Sequence, residues 1–452
     1  MNRLQEPAIS APPSRPGQVT LCVSELHGSL GDPVLESMNF LNEVSHRFPD
    51  ALSLAAGRPY EGLFDVEDIH RYLRTFHEHL SGTLGWPEER VRRTIFQYGR
   101  TKGIIHDLIA RNLAIDEDIH VDPESIVVTV GCQEAMFLVL RALRTDEHDV
   151  LLAVAPTYVG ITGAARLADL PVLPVNSGPG GIDLTDLAQT VHGARAQGLR
   201  PRALYVIPDF SNPLGVSLDT ATRQGLLELA DELDLLLLED NPYGLFFAGE
   251  RLATLKSMDR QRRVVYLGSF AKSALPGARV GYLVADQRVT AEGGGELGFL
   301  ADQLSRIKSM LTVNTSPVAQ AVIGGKLLTH GGSLAKANAR ETEVYRRNLR
   351  LLLQGLEKRF PQEGGDSDVT WNIPSGGFFL VLTVPFAVDD ALLEHSARRH
   401  GVIWTPMHHF FTGRTSSRQM RLSYSQLEPE QIDDALDRLA ALIHEQRVLG
   451  AA

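Results

Sequence analysis

The sequence predicts an α/β protein, a mostly parallel central sheet sandwiched by helices, followed by a smaller α+β unit. Three observations carry this reading. From about Asp65 to Leu328, short and continuously apolar runs alternate with helical stretches, the pattern of strands buried on both faces. After Lys326 that alternation gives way to one long amphipathic helix and a few mixed strands. Most of the polar side chains with chemical potential fall just past an apolar run, where the ligand sites of such sheets gather.

The elements follow in order. Residues 1–23, rich in Pro, Ser and polar side chains, read as a flexible tail. "SIVVTVG" is a strand that hands over to the helix "CQEAMFLVLRALR". "DVLLAVAPTY", "LPVLPVN" and "RALYVIPDFSNP" are further strands, then the helix "TATRQGLLELADEL" leads to the strands "DLLLLED" and "RVVYLGSF". "EGGGEL" at 292–297 reads as a loop whose glycines make no phosphate-binding fingerprint. "NARETEVYRRNLRLLLQGLEKRF" is the long helix, and "PSGGFFLVLTV", "GVIWTPM", "MRLSYS" and a final helix complete the smaller unit. The chain has no internal repeat.

Bulk properties narrow the function. The chain has 452 residues, enough for a large core and more than one domain, and 43% hydrophobic with 22% charged residues is ordinary for a soluble globular protein. A formal charge of −11 argues against nucleic-acid binding through global electrostatics. Cys22 and Cys132 are too few for a disulfide framework or a cysteine zinc site. No metal is expected. No apolar run approaches the roughly 20 residues that span a bilayer, and the N-terminus lacks the apolar core of a signal peptide. A cytoplasmic protein without a membrane partner is the expectation.

Five features could carry chemistry, four of them at strand ends. In "SFAKSALPGAR", Lys272 sits among small residues after an apolar run, seven positions before Arg279. Burial and a neighbouring cation lower an amine's pKa and make it a nucleophile toward carbonyls; the stretch alone equally allows a lysine salt-bridged at a strand end. "LLLLEDNPYG" delivers Asp240 at the end of a central strand, either as a desolvated carboxylate seeking a cation or N–H, or as a turn former before Pro242. "IPDFSNPLG" places Asn212 before Pro213, a turn that admits a cis bond or a ligand-facing amide. "VTVGCQEAM" puts Gly131, Cys132 and Gln133 at a strand-to-helix junction, an ordinary turn or an anion site made of free N–H groups. Cys132 reads as a small packed residue rather than a nucleophile. Arg421 in "RQMRLSYS" suits bidentate capture of a carboxylate, as many surface arginines do.

Their order is specific. An anion-binding turn, an aromatic after Ala-Pro (Tyr158), Asn-Pro with a following Gly, a strand ending in Asp with Tyr243 three residues on, Ser-x-x-Lys, an Arg seven residues later and a late Arg-Leu-Ser occur in sequence. This resembles the fold-type I pyridoxal-phosphate (PLP) enzymes of the class I/II aminotransferase family, nearest the kynurenine/2-aminoadipate branch. The resemblance covers roughly residues 24–439.

It implies a PLP-dependent enzyme that moves an amino group between an α-amino acid and a 2-oxo acid. Lys272 would hold the cofactor aldehyde as a Schiff base and later move a proton between the substrate α-carbon and C4′. Asp240 would keep the pyridine nitrogen protonated, Asn212 and Tyr243 would bond the ring oxygen, and Tyr158 would stack on the ring. The Gly131–Cys132–Gln133 turn, Ser269 and Arg279 would hold the phosphate, joined by Tyr98 of "QYGRTKG" from a neighbouring subunit. A homodimer with shared active sites follows by analogy. Arg421, Asn212 and Gly57 of "LAAGRP" would receive the substrate carboxylate. The implied domains are 24–64, joining the small domain and the substrate site, 65–328, the large PLP-binding domain, and 329–452, the small C-terminal domain.

The chain departs from the family pattern in three places. Ala271 stands where many relatives have serine, Cys132 where Ser or Ala is usual, and "TPMHHFF" where Pro-Gly is usual. The last loop commonly lies near the substrate side chain, so His408 and His409 invite either a specificity role or a reading as solvated loop residues. The stretch 25–65 is similar to arylglycine-forming transaminases of peptide-antibiotic pathways. Two alternatives stay open: another PLP chemistry on the same scaffold, such as a cyclase, lyase or oxidase, and a transcriptional regulator with an aminotransferase-like sensor. The short Pro-rich tail before Leu26 disfavours the second.

Overall fold

The computed structural model describes residues 19–178, 180–247, 249, 251–362, 368–411 and 417–451. Most of the expected flexible tail, residues 1–18, lies outside them. Seven strands form the main sheet: β1 Ile126–Thr129, β2 Asp149–Ala155, β3 Val172–Asn176, β4 Arg200–Val206, β5 Leu236–Asp240, β6 Val264–Ser269 and β7 Gly281–Val284. Their order is β1-β7-β6-β5-β4-β2-β3. Strands β2 to β6 run parallel, whereas β7 is antiparallel to both β1 and β6. That strand was not anticipated, because "GYLV" directly follows the Pro-Gly turn and is only four residues long.

The strands read as unbroken apolar runs because neighbouring side chains enter different cores. Leu151 and Ala153 pack on one face with helices Gly131–Leu143 and Val159–Leu167, while Leu152 packs on the other. Ala203 and Tyr205 alternate likewise with Leu204 and Val206. Period-two alternation puts successive residues on opposite faces, so a sheet covered twice is apolar at every position.

A second sheet, β8 Thr370–Trp371, β9 Phe379–Val388, β10 Thr405–Pro406 and β11 Ser417–Ser423, has the order β8-β9-β11-β10 and is antiparallel throughout. It shares a core with helices Ala339–Arg359 and Pro429–Ala451, and with Val44 and Leu54 from the N-terminal segment. Leu52–Ser53 pairs in parallel with Val402–Ile403, and the Ser423 N–H donates to the Leu54 carbonyl at 2.7 Å. The N-terminal segment is thereby fixed beside the cavity described next. The glycines at 293–295 form the turn of a hairpin, and Glu296 and Leu297, expected in a loop, belong to its second strand, Glu296–Phe299. Among the described residues no helix is long and apolar enough to cross a membrane.

Candidate active site

The carboxyl ends of β1, β5 and β6 converge on a cavity of about 250 Å³. Gly57, Cys132, Gln133, Tyr158, Asn212, Asp240, Tyr243, Ser269, Lys272, Arg279 and Arg421 all line it, although they come from seven separated stretches of sequence. Another cavity, of about 310 Å³ beside helix Val66–Glu78, holds none of these strand-end residues. The first is therefore the candidate site.

Lys272 projects from the turn that follows β6. Its Nζ donates to the Gly57 carbonyl at 2.6 Å and lies 5.9 Å from the ring centres of both Tyr243 and Phe378. Burial, followed by the positive charges of Arg421, Arg279 and Arg58, lowers its pKa to about 8, while Asp240 opposes the shift. Those are the two conditions under which an amine becomes a usable nucleophile near neutral pH.

Asp240 ends β5 and is 3% exposed. Burial raises its pKa to about 6. Opposing this, the Tyr205 hydroxyl donates to Oδ2 at 2.6 Å, the Cys132 thiol to Oδ1 at 3.5 Å, and Lys272 adds a positive charge. Burial also pushes the Cys132 thiol well above its ordinary range, which disfavours the reactive thiolate. Tyr158 precedes helix Val159–Leu167 and Tyr243 packs on Phe378 and Phe379; burial raises the pKa of both phenols, so they are hydrogen-bonding groups and not anions.

An anion cradle lies where β1 passes into helix Gly131–Leu143. Gly131 has φ +72°, and a Cβ there would run into the Arg279 guanidinium. Glycine thus allows the arginine to sit over the unpaired N–H groups of the helix start. Among the described residues no carboxylate pairs with Arg279. Ser269, at the end of β6, adds a hydroxyl to the same wall.

Arg421 lies in β11, 5% exposed. It donates to Asn212 Oδ1 at 2.6 Å, the Ala55 carbonyl at 2.9 Å and Thr405 Oγ1 at 3.2 Å. Its guanidinium lies over the Phe379 and Phe410 rings at 4.2 and 4.9 Å. Among the described residues all these partners are neutral and Nε finds no acceptor, and burial lowers the pKa to about 10. A buried cation without a counter-ion is poised for an anion from outside.

Two sequence-selected features lie elsewhere. Tyr98 is 84% exposed and does not line the cavity of its own chain. His408 and His409 also stay outside it; they face Asp390 at 3.5 and 2.8 Å, behind the pocket residue Phe410. Sequence reasoning overlooked Tyr205, Thr405, Phe379, Phe410, Met38 and Arg58. Only Tyr205 left a signal, a phenol in a buried strand, whose hydroxyl requires a polar partner.

Residues 86–439 match the family Aminotransferase class I and II. The chain is 59% identical over 423 residues to (S)-3,5-dihydroxyphenylglycine transaminase of Amycolatopsis orientalis, covering 94% of each chain. The crystal structure of a multiple substrate aminotransferase from Thermococcus profundus is similar with a TM-score of 0.77 at 29% identity, covering 94% of this chain and 98% of that one. A kynurenine aminotransferase from Pyrococcus horikoshii gives 0.76 at 27% identity, covering 92% and 95%. With this match over most of its length and a lysine-centred cavity at the strand ends, the chain belongs to the class I and II aminotransferases, PLP-dependent enzymes of fold type I.

Proposed function

We propose that the enzyme moves the amino group between an arylglycine of the 3,5-dihydroxyphenylglycine type and a 2-oxo acid, using PLP held in the Lys272 cavity. The observation that carries the substrate class is the 59% identity to the Amycolatopsis orientalis enzyme across 94% of each chain. A cytoplasmic homodimer acting in peptide-antibiotic biosynthesis belongs to the same reading. Support for the dimer is the exposure of large side chains with apolar surface, Phe96 at 73%, Tyr98 at 84% and Met310 at 87%. Tyr98 would reach the phosphate held by a second copy.

The cavity's donor set fits PLP. An uncompensated arginine over a helix start suits the phosphate, a buried carboxylate suits a protonated ring nitrogen, and an amine of lowered pKa suits the aldehyde. The Cys132 and Gln133 N–H groups, Ser269 and Arg279 would hold the phosphate. Asp240 would face the ring nitrogen, Asn212 and Tyr243 the ring oxygen, and Tyr158 the ring itself. When bound, PLP supplies the electron sink that allows the substrate Cα–H bond to break. Lys272 Nζ would hold the aldehyde and, when free, would move a proton between the substrate α-carbon and the cofactor carbon C4′. Arg421 and Gly57 bind the substrate carboxylate and keep the α-carbon within reach of Lys272. Phe379, Phe410 and Met38 exclude water around the side chain.

The test is to add single amino acids to the holoenzyme without any oxo acid. An arylglycine should bleach the lysine-bound visible band and release its 2-oxo acid in a one-to-one ratio with active sites. Ammonia release or oxygen uptake in the same tubes would overturn the transamination reading. Preference for a non-aromatic donor would overturn the substrate class alone.

A further inference from the structure

Three residues outside the cavity each immediately precede one that lines it. Ser37 precedes Met38, Thr157 precedes Tyr158, and His409 precedes Phe410. Ser37 and His409 belong to one bonded cluster, which Thr157 joins through the Phe410 backbone. His409 Nδ1 lies 2.9 Å from Ser37 Oγ and its Nε2 lies 2.8 Å from Asp390 Oδ1. Phe40, on the same helix as Ser37, stacks on the His409 ring at 4.8 Å. The His408 ring follows at 4.1 Å and shares Asp390, and the Thr157 N–H donates to the Phe410 carbonyl at 2.9 Å.

We infer that His409 is a positioning residue for the side chain of a bulky amino donor: it bolts helix Pro33–Arg47, which carries Met38, to the turn Met407–Phe410, which carries Phe410. The imidazole suits this role chemically. With the Asp390 carboxylate accepting from Nε2–H, Nδ1 accepts from the Ser37 hydroxyl, and a hydroxyl can also accept from Nδ1–H. The link therefore holds with the ring neutral or charged. The His409 side chain is nearly enclosed, 6% exposed, whereas its partner Asp390 faces solvent. Of the two walls it joins, Phe410 lies 4.9 Å from the Arg421 guanidinium and Met38 lines the same cavity. A donor held by its carboxylate at Arg421 directs a large side chain against those walls, whereas a small one does not touch them. Loosening the walls removes binding that is equal in the ground and transition states, which raises KM and spares kcat.

The inference rests on the bulky-aromatic substrate reading, and the experiment separates the two. The Ser37→Ala, His409→Ala and His409→Asn holoenzymes are compared with wild type, using phenylglycine or 3,5-dihydroxyphenylglycine and the smallest amino acid that wild type accepts. Ser37→Ala and His409→Ala should raise the aryl donor's KM about tenfold, with kcat and the small donor's KM within about twofold. His409→Asn, whose amide keeps a polar group toward Ser37, should recover most of that loss. An aryl-to-small KM ratio unchanged in Ser37→Ala and His409→Ala overturns the inference, even if thermal stability falls. Should His409→Ala fail to fold, Ser37→Ala alone decides by the same ratio. Failure of the substrate reading shows in wild type by itself, as rejection of aryl donors; the ratio is then measured with the bulkiest donor accepted.

Discussion

The Lys272 amine donates to the Gly57 carbonyl across 2.6 Å, joining the turn after β6 to the N-terminal segment over 215 residues of sequence. Gly57 is close enough to Phe379 that a Cβ would run into the ring. That close packing sets the Gly57 carbonyl beside Lys272 Nζ. Lys272→Ala should retain PLP only non-covalently, lose the lysine-bound visible band, and lower kcat by about a thousandfold or more. Near-wild-type turnover of that variant in a coupled 2-oxo acid assay would overturn the assignment of Lys272.

The lowered pKa of Lys272 has a definite sign. Burial and the Arg421, Arg279 and Arg58 charges bring it to about 8, and only the neutral amine attacks an aldehyde. In the apoenzyme, the rate of covalent PLP capture should rise with pH and level off above about 8. Stopped-flow absorbance gives the profile. A rate that keeps climbing to the ordinary lysine value of 10.5 contradicts it.

Tyr205 bears on the acidic side of the profile. Its hydroxyl, 2.6 Å from Asp240, opposes the upward push of burial on that carboxyl, which stands at about 6. Tyr205→Phe removes this support, so Asp240 becomes neutral at a higher pH. The acid limb of kcat/KM against pH should move upward by about one unit. An unmoved limb would mean that Asp240 does not govern it.

Why some of this was legible in the sequence and some not has a physical basis. Lys272, Asp240 and Asn212 each follow a run of strand residues, and a polar group at a strand end stands out against the core before it. Arg421 lies within β11 and was selected only through the order of all the motifs. Tyr205 was hidden because it alternates into the core like its neighbours, and its partner Asp240 comes near only through the β4–β5 register. The direction faced by His408 and His409 could not be read locally. Their contacts Asp390 and Ser37 come from other elements, the latter 372 residues away from His409.

Glu134 and Lys308 test the frame beneath the anion cradle. Lys308 is fully buried and donates to Glu134 at 2.8 Å. Glu134 also accepts from the Val130 N–H and the Thr312 hydroxyl, both at 2.6 Å. Lys308→Met would leave this carboxylate buried beside helix Gly131–Leu143 without its cation, at a cost of about 3–5 kcal/mol. Urea unfolding of the apoenzyme should show that loss. Adding Glu134→Gln to the same chain should restore part of it, because the stranded charge is then gone.

Arg421 should separate activity from stability. Its partners Asn212, Ala55 and Thr405 are neutral, so the interior bears the desolvation cost of a guanidinium without a counter-charge. In the proposed role an incoming substrate carboxylate would supply that charge, gripped by paired N–H donors. Lysine offers one point charge on a differently shaped stem. Arg421→Lys should therefore lower kcat/KM by about a hundredfold or more, chiefly through KM. Arg421→Gln removes the charge altogether and should leave apoenzyme stability equal or higher, since the uncompensated cation is lost. It also removes one of the charges that lower the Lys272 pKa, so the capture profile should shift to higher pH. Donor kinetics on both variants, with urea unfolding and PLP-capture rates on Arg421→Gln, check all three. An unchanged donor KM in both variants would show that the substrate carboxylate binds elsewhere.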